Sequence, residues 1–436
     1  MDFDEAVRWL DSRISLESTV AAVAGPGRRR PPRLDRMAQL MELLADPQHG
    51  YPVLHLTGTN GKTSTARILT RLLEVAGLSV GTYTSPHLEC VTERMALNGE
   101  PISRDDLGAT VGGVAAVVPY MAEPPTYFEA VTAAAFRWFG EVAVHAAVVE
   151  VGLLGRWDAT NVADAQVAVV TNVGGDHLDY TATREAAAQE KAGIVKPGSI
   201  LVLGEDDPDL AGVFAAAPAE EVWVRGRHFA VLENLLAHEG RMVGIRTPAG
   251  SYQELYLALR GAFQGENAAL ALAAAEAFLG VPLEEGLVRE AFLTVTSPGR
   301  LEVMRRQPLC LLDGAHNPPA AAALGQAVAE DFAEPEAWTV VMGVLAPHDP
   351  AELLGALDLG GRTRVIACQP DSPRAVPAAE VAAAAGRLGL DSEVVASVAE
   401  AVSRALALSS AEDAVLVTGS LYVVGEARAA LRRGVG

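Results

Sequence analysis

The sequence is poor in cysteine, lysine and aromatic residues, and it lacks long hydrophobic runs. Three cysteines, Cys90, Cys310 and Cys368, are an odd number and lie far apart, so we predict neither a disulfide framework nor a cysteine-based zinc site. No uncharged apolar run reaches the roughly 18 residues that a membrane span needs. The first five residues, MDFDE, lack the basic start of a secretory signal. We therefore expect a cytoplasmic protein in a reducing environment.

Basic residues are also scarce, because 34 lysines and arginines stand against 55 aspartates and glutamates and leave a formal net charge of -21. Non-specific binding to nucleic acid or to an anionic membrane needs a basic surface, so this composition disfavours both partners. We expect small-molecule partners and a monomer instead. With 436 residues, the chain exceeds one ordinary hydrophobic core and is expected to divide into domains.

Only Lys62, Lys191 and Lys196 are lysines among the 34 basic residues. An ammonium group differs from a guanidinium in shape, in pKa and in its chemistry with carbon dioxide and phosphate. We therefore expect lysine to be kept where arginine cannot replace it, although the three positions also fit chance.

A glycine-rich turn separates the apolar segment 53–56 from a helical pattern over residues 62–76. The turn consists of Gly58, Thr59, Asn60, Gly61, Lys62, Thr63 and Ser64. Backbone amides of such a loop can surround phosphate oxygens at a helix N-terminus, while the lysine offsets charge and a hydroxyl faces Mg²⁺. We predict a site for a nucleoside triphosphate, and the alternative is an ordinary helix-start turn. Leu56 stands where the general P-loop motif has its first glycine, which disfavours a generic P-loop NTPase.

Alternation of short apolar strands with alanine-rich helical patterns dominates the chain after an N-terminal helical region of about 50 residues. Strands are predicted at residues 80–84, 146–151, 167–172 and 200–203, and later at 309–312, 339–342, 365–368 and 415–418. This pattern predicts two α/β units with mainly parallel sheets. Residues 205–260 are more polar, and the turn-forming segment 296–300 suits a linker. We therefore predict domains over residues 1–297 and 298–436.

Polar residues stand at the carboxyl ends of several predicted strands. Glu150 ends one strand, Ser85 follows another, and His177 follows a third. Open α/β sheets place functional groups at this edge, where such ligands suit Mg²⁺. Individually they also fit a strand-end carboxylate, a turn serine and a hydrogen-bonded histidine. Lys191, on a helix beside Glu190, is either half of a solvated ion pair or a functional amine.

Short motifs in a fixed order run from about residue 33 to residue 428. They are TGTNGKTS (57–64), TSPHL (84–88), YFE (127–129), EVG (150–152), GRWDATN (155–161), EKAGI (190–194), NAA (267–269), PGRLE (298–302), LDGAHNP (312–318) and TGSLY (418–422). Each motif is weak alone, but their joint order resembles the folylpolyglutamate synthase/dihydrofolate synthase family of the Mur ligase superfamily. The resemblance implies an α/β fold with a Mur-ligase-like P-loop ATPase domain and a smaller, Rossmann-like C-terminal domain.

The resemblance also implies roles for individual residues. Lys62 and the loop backbone would hold the ATP phosphates, and Ser85, Glu150 and His177 would surround Mg²⁺. Lys191 matches a lysine that is carbamylated in the family and so binds a second Mg²⁺, which arginine would not do. Contacts with the nucleotide are implied for Asn267, Arg300 and Asp313. Contacts with glutamate or pterin are implied for His316, Ser420, Thr126, Tyr127, Phe128, Glu129, Leu153, Gly155 and Arg156.

The implied activity is the addition of L-glutamate to dihydropteroate, to tetrahydrofolate or to both. A carboxylate is a poor electrophile, so ATP would first activate it as an acyl phosphate, which the glutamate amine then attacks. Lys62, Lys191 and His316 are the implied catalytic residues. Closure of a cleft between the two domains would keep water from the acyl phosphate.

Several positions depart from the family pattern. Leu154 replaces a glycine, Gly175 an aliphatic residue, Phe263 a histidine, and residues 346–349 (APHD) an Asp-Lys-Asp segment. These changes bear on substrate preference and glutamate handling more than on ATP chemistry. Three alternatives stay open: a ligase with only one folate activity, a peptidoglycan-precursor ligase, which the YFE and DGAHNP motifs disfavour, and a non-catalytic nucleotide- or folate-binding paralogue.

Overall fold

The computed structural model describes residues 1–15, 34–174, 181–360 and 362–434. It contains a large sheet, a small antiparallel sheet and a second large sheet, in that order along the chain. The predicted α/β class with two mainly parallel sheets is confirmed. None of the helices in the described ranges is long and apolar enough to cross a membrane.

The first sheet contains the predicted phosphate loop. Its strands are β1 (Val53–Thr57), β2 (Val80–Tyr83), β3 (Met95–Leu97), β4 (Glu100–Pro101), β5 (Ala146–Glu150), β6 (Ala165–Val170), β7 (Ile200–Leu203) and β8 (Glu221–Val224). They lie in the order β4-β3-β2-β5-β1-β6-β7-β8, and the run from β2 to β8 is parallel. The carboxyl ends of β2, β5, β1 and β6 therefore meet at one edge.

Helices cover both faces of this sheet. They are α1 (Phe3–Asp11), α2 (Asp35–Leu43), α3 (Lys62–Val75), α4 (Arg104–Val117), α5 (Tyr127–Glu141), α6 (Arg184–Ala192), α7 (Ala211–Ala215), α8 (Phe263–Leu279) and α9 (Glu285–Thr294). Successive side chains of a strand point to opposite faces, so Val148 joins the core under α3 and α8, whereas Val149 joins the core under α5. Both faces of the sheet are buried at β5, which explains why β5 is apolar at every position before Glu150.

A small antiparallel sheet occupies the second half of the stretch 205–260, which the sequence marked only as polar. It contains β9 (Ala230–Ala237), β10 (Gly240–Arg246) and β11 (Ser251–Leu257) in the order β11-β10-β9. One face contributes Val243, Ile245 and Leu255 to the core beneath α8. The other face is open, and Leu232, Leu235 and Leu236 are exposed on β9. This half-buried pattern mixes polar and apolar residues and hides the strands in the sequence.

The second large sheet follows residue 300. Its strands are β12 (Glu302–Arg306), β13 (Leu309–Leu312), β14 (Ala337–Met342), β15 (Arg362–Ala367), β16 (Asp391–Val394) and β17 (Ala414–Thr418), and its helices are α10 (Pro318–Asp331), α11 (Pro350–Leu357), α12 (Ala378–Arg387), α13 (Val398–Leu408) and α14 (Leu421–Arg432). The strand order is β12-β13-β17-β14-β15-β16. Only the β12–β13 pair among the described strands of this sheet is antiparallel. Separate cores lie on its two faces.

Candidate active site

The glycine-rich turn between β1 and α3 has the geometry of a phosphate-binding loop. Gly61 is the N-cap of α3, with a φ of 82° and no side-chain hydrogen bond capping the helix. The first amides of α3 are therefore not capped by a protein side chain, and an anion is the natural partner for them. Lys62 folds back so that Nζ donates to the carbonyl oxygens of Gly58 (2.9 Å) and Thr59 (3.2 Å). These donors fit a polyphosphate.

Side chains that follow β6 hold the loop in shape. Asn172 accepts from the amide of Asn60 (2.9 Å) and donates through Nδ2 to the Asn60 carbonyl (3.0 Å). The Thr171 hydroxyl donates to the same carbonyl at 2.6 Å. Gly58 packs so closely on Thr171 that a Cβ would overlap its hydroxyl. The sequence alone assigned no role to Thr171 or Asn172, because the loop that they contact lies more than 100 positions earlier in the chain.

Glu150, the last residue of β5, presents a buried carboxylate beside the loop. Both of its oxygens accept from the Thr63 hydroxyl at 3.0 Å, and a backbone hydrogen bond from Ser85 reaches the same group. Burial raises the pKa of Glu150, and the positive charge of Lys62 opposes that shift. The Glu150 carboxylate and the Thr63 hydroxyl supply hard oxygen ligands, which fit a divalent cation such as Mg²⁺, and the backbone of Ser85 lies beside them.

The structure places the other predicted metal ligands differently. His177, like Gly175, lies outside the described residues. Lys191 is buried in the last turn of α6, with 2% of its surface exposed. Within the described ranges, no group of three or more His, Cys, Asp and Glu side chains surrounds a common point. A site at this edge would therefore depend on hydroxyl oxygens as well as Glu150.

The loop after β5 connects Lys191 with the phosphate loop. The amide of Arg156 donates to the Glu190 carbonyl (2.8 Å), and a Cβ on Gly155 would lie 3.2 Å from the Lys191 Cα. At the other end of the segment, the hydroxyl of Thr57 donates to the Leu154 carbonyl. The predicted pterin-facing segment 153–156 thus lies between β1 and α6.

Leu154 has a φ of 60°, in the left-handed region that favours glycine. This backbone geometry explains why the resembled family has glycine at this position. The leucine side chain is itself 6% exposed, so its burial offsets part of the backbone strain. The departure therefore preserves the path of the loop.

A buried polar network that the sequence did not indicate supports the same loop. Asp158 accepts from the Leu153 amide (2.7 Å) and from the Thr160 amide (3.0 Å). The Thr160 hydroxyl also contacts Asp158 and lies 2.8 Å from His55 Nε2 on β1. Burial raises the pKa of Asp158 to about 6, and burial together with Lys196 lowers the pKa of His55 to about 3.

The segment 126–129 begins α5, and most of its polar groups are already engaged. Thr126 and Glu129 cap the helix reciprocally, and Glu129 also accepts from Arg36 Nε at 2.7 Å. The Tyr127 amide donates to the carbonyl of Ile14 (2.9 Å). Phe128 instead packs against Gly152, directly before the loop 153–156. The structure therefore brings Phe128 next to the predicted pterin-facing loop.

The residues predicted from the second half approach the phosphate loop from two sides. Asn267 on α8 accepts from the Thr65 hydroxyl (3.5 Å), and a Cβ on Gly61 would overlap its side-chain oxygen. The hydroxyl oxygens of Ser64 and Ser297 lie 3.2 Å apart. Asn317, which the sequence did not single out, exchanges hydrogen bonds with Asn60.

Asp313 and its neighbours form a tight turn after β13. The buried Asp313 carboxylate accepts from the amides of Leu301 (3.0 Å) and Ala315 (2.9 Å). Burial raises the pKa of Asp313, and Arg300 opposes the shift. His316 Nδ1 lies 2.9 Å from the Gly314 carbonyl oxygen, and its ring centroid lies 5.6 Å from that of His348. The APHD departure thus places a second imidazole beside His316.

Ser420 caps α14 by accepting from the Val423 amide at 3.2 Å. It follows β17, the strand next to β13, so it stands at the same sheet edge as Asp313. Ser85 and Glu150 in the first half, and Asp313 and Ser420 in the second, therefore lie at the carboxyl ends of parallel strands in their sheets.

Comparison with known proteins matches both halves of the chain. Residues 56–275 match the Mur ligase middle domain, and residues 299–421 match the Mur ligase glutamate ligase domain. Dihydrofolate synthase/folylpolyglutamate synthase of Mycobacterium tuberculosis is 37% identical, over 92% of this chain and 91% of that protein. Folylpolyglutamate synthase of Lacticaseibacillus casei is 34% identical, over 92% and 94% respectively.

Solved structures give the same result. Mycobacterium tuberculosis folylpolyglutamate synthase complexed with ADP superposes with a TM-score of 0.91 at 36% identity, covering 100% of this chain and 99% of that one. The bifunctional enzyme of Yersinia pestis, complexed with AMPPNP and a Mn ion, gives 0.84 at 28% identity, covering 99% and 98%. Both of these structures hold an adenine nucleotide, and the second also holds a Mn ion. The chain belongs to the Mur ligase family and, within it, to the dihydrofolate synthase/folylpolyglutamate synthase group.

Proposed function

We propose that this chain is an ATP-dependent ligase that joins L-glutamate to dihydropteroate, to tetrahydrofolate and its glutamylated forms, or to both. The observation that carries the proposal is the meeting of three elements at one place. These are the phosphate loop, the Glu150 carboxylate and the segment from Asp313 to Asn317, which approaches from the second sheet. In this proposal, the nucleotide, the metal and the amino acid are held by separate protein groups that lie close together.

The phosphate loop supplies the groups for ATP. Bound ATP would provide the phosphoryl group that converts the acceptor carboxylate into an acyl phosphate. The uncapped amides at the start of α3 would bind phosphate oxygens, and Lys62, held above the loop carbonyls, would offset their charge. Asn267, Arg300 and Asp313 are proposed to hold the adenosine and phosphate parts of the nucleotide.

Glu150, Thr63 and Ser85 are proposed to hold Mg²⁺, with His177 as a further ligand. Bound Mg²⁺ would neutralise charge that develops on the transferred phosphoryl group. A second ion is proposed near Lys191, which is buried in the last turn of α6. Carbamylation with carbon dioxide would convert Lys191 into an anionic ligand. Gly155 packs against Lys191, which supports a position of the second ion next to the predicted pterin-facing loop 153–156.

Two domains, 1–297 and 298–436, are proposed to bind different substrates of the reaction. The acceptor would lie against Phe128 and the loop 153–156, and glutamate against His316 and Ser420 on the other side. The hydrogen bonds between Asn60 and Asn317 support an arrangement in which the two sides meet and exclude water. All three cysteines are free thiols, which supports a reducing compartment, and we propose that the enzyme acts there as a monomer.

Phosphate release from Mg-ATP in the presence of L-glutamate tests this function. Dihydropteroate, tetrahydrofolate and a UDP-muramoyl peptide are compared as acceptors. We expect phosphate release that requires glutamate and at least one of the two pterins. Comparison of the rates with dihydropteroate and with tetrahydrofolate distinguishes a bifunctional from a monofunctional enzyme. Turnover with the muramoyl peptide alone would assign a peptidoglycan-precursor ligase, and no turnover with any acceptor would support a non-catalytic paralogue.

The Lys191 assignment has its own test. Lys191→Ala should lose most activity and recover part of it with added short carboxylic acids, because these replace the carbamate as an anionic ligand. A bare amine at Lys191 in a high-resolution map of crystals grown with bicarbonate would contradict the carbamate.

A further inference from the structure

A small cavity of about 30 Å³ lies beside Thr63, where α3 faces the segment after β2 and the start of the second domain. Its wall includes Thr84, Pro298 and Leu421, and two guanidinium groups reach it. Arg67 comes from α3, one turn after Thr63, and Arg300 comes from the segment between α9 and β12. The cavity has room for one small group rather than for a whole substrate.

Neither guanidinium group makes a hydrogen bond or ion pair within the part of the chain that the structure describes. Carboxylates act on both through their charge, Glu93 and Glu150 on Arg67, and Glu150 and Asp313 on Arg300. Arg67 and Arg300 are half-buried, and burial lowers the pKa of the Arg67 guanidinium. Half-buried N–H groups without an acceptor favour a ligand that can accept from them.

The nearby carboxylates are already committed to other donors. Glu93 accepts from the amides of Leu88 (2.9 Å), Glu89 (3.0 Å) and Cys90 (3.0 Å). Glu150 accepts from the Thr63 hydroxyl with both oxygens. Glu93 itself lines the cavity, and both carboxylates act on Arg67 through their charge, but within the described residues no hydrogen bond joins either of them to its guanidinium.

We propose that Arg67 adds a second guanidinium to Arg300, which is assigned above to the nucleotide phosphates, and that the two form a binding site for one oxyanion of the reacting molecules. A guanidinium is a planar fork that matches the oxygens of phosphate or carboxylate, and two forks on one small cavity select for such a group. The proposal rests on the ligase function above. Two molecules of that reaction carry the required chemistry, the phosphate that is transferred and released, and the carboxylates of the incoming amino acid.

Binding to the nucleotide-free protein separates the two sources. Thermal unfolding is measured with inorganic phosphate, with L-glutamate and with chloride at equal ionic strength. The variants are Arg67→Gln, Arg67→Lys and, as the matched control, Arg71→Gln. Arg71 lies one turn further along α3, where it pairs with Glu74 (2.9 Å) and Glu290 (3.2 Å) at the surface.

Wild type and Arg71→Gln should be stabilised by one of the two anions above the chloride baseline. Arg67→Gln should lose that shift, and Arg67→Lys should keep only part of it, because an ammonium lacks the fork. In turnover, Arg67→Gln should raise either the inhibition constant for phosphate or the KM for glutamate by roughly tenfold or more, in agreement with the anion that gives the shift.

A shift that Arg67→Gln retains in full, with unchanged constants, would overturn the proposal, and so would a wild type that neither anion stabilises. If Arg67→Gln does not fold, the shift of Arg67→Lys decides in the same way. An inactive wild type that still shows the Arg67-dependent shift would instead remove the ligase function and leave the anion site standing.

Discussion

Asn60 and Asn317 exchange two amide hydrogen bonds although they stand 257 residues apart, with Nδ2 to Oδ1 distances of 3.3 and 3.0 Å. Asn60 belongs to the phosphate loop. Asn317 is also the N-cap of α10, where its Oδ1 accepts from the Ala320 amide at 2.9 Å. One side chain therefore starts a helix of the second domain and holds the nucleotide loop of the first.

Asn317→Ala should affect stability and nucleotide binding together. Loss of the cap is expected to cost about 1 kcal/mol of unfolding free energy, and loss of the contact with Asn60 should weaken ADP binding. Chemical denaturation and calorimetric titration with Mg-ADP measure the two effects.

Asn317→Ser is the matched control, because serine caps a helix as well as asparagine but is too short to reach Asn60. It should restore stability while ADP binding stays weak. Wild-type affinity in both variants would show that the Asn60 contact does not support the loop.

Gly61→Ala should abolish nucleotide binding. Gly61 has a φ of 82°, and an added Cβ would overlap Asn267, so the start of α3 would have to shift. Gly77→Ala, at the other end of α3, is the control that distinguishes backbone strain from steric overlap of the added Cβ. Gly77 also has a positive φ, 92°, but has open space around it. That control should lose about 1 kcal/mol of stability and bind Mg-ADP normally. Equal binding losses in the two variants would contradict the overlap.

Glu150→Gln should raise the Mg²⁺ concentration for half-maximal activity at least tenfold, because an amide is a weaker ligand than a carboxylate. Without metal, the same substitution should not reduce stability. Burial raises the pKa of Glu150, so its contribution to stability is present at low pH and is lost as pH rises through the folded pKa.

At neutral pH, metal-free Glu150→Gln should therefore unfold at the same temperature as wild type or higher. Glu141→Gln, on the exposed face of α5 beside Arg137, is the control and should leave both quantities unchanged. A variant that needs no more Mg²⁺ than wild type would remove Glu150 from the metal site.

His55 should make the protein sensitive to acid. Its folded pKa is about 3 against an ordinary value of 6.5, so its neutral form contributes stability that is present above pH 6.5 and is lost as pH falls toward 3. The loss amounts to about 2 kcal/mol at pH 5. The unfolding free energy of His55→Gln, measured from pH 7.5 to pH 4.5, should fall less steeply than that of wild type. His145→Gln, at an exposed histidine, should follow the wild-type slope.

Much of the fold was predictable because buried parallel strands have continuous apolar runs. The predicted strand 200–203 agrees with β7, and the other predicted strands of both large sheets agree with the structure within a few residues. The sheet of β9, β10 and β11 was missed because one face is exposed and its residues do not form such runs.

The candidate site was predictable only where its residues belong to local motifs. The phosphate loop and Glu150 are of this kind, and the structure places them in contact through Thr63. Asn317, Asp158 and Arg67 gain their significance from neighbours that are distant in sequence, from burial or from a missing partner. None of these properties can be read from residue type and spacing.

Oxygen-18 in the carboxylate of dihydropteroate, or of tetrahydrofolate if that is the better acceptor, tests the central claim of acyl activation by ATP. The carboxylate oxygen that attacks the γ-phosphorus leaves with phosphate when the glutamate amine forms the amide. Mass spectrometry should therefore find one labelled oxygen in phosphate for each amide bond made. Amide formation with unlabelled phosphate, or with the label in AMP, would contradict the account.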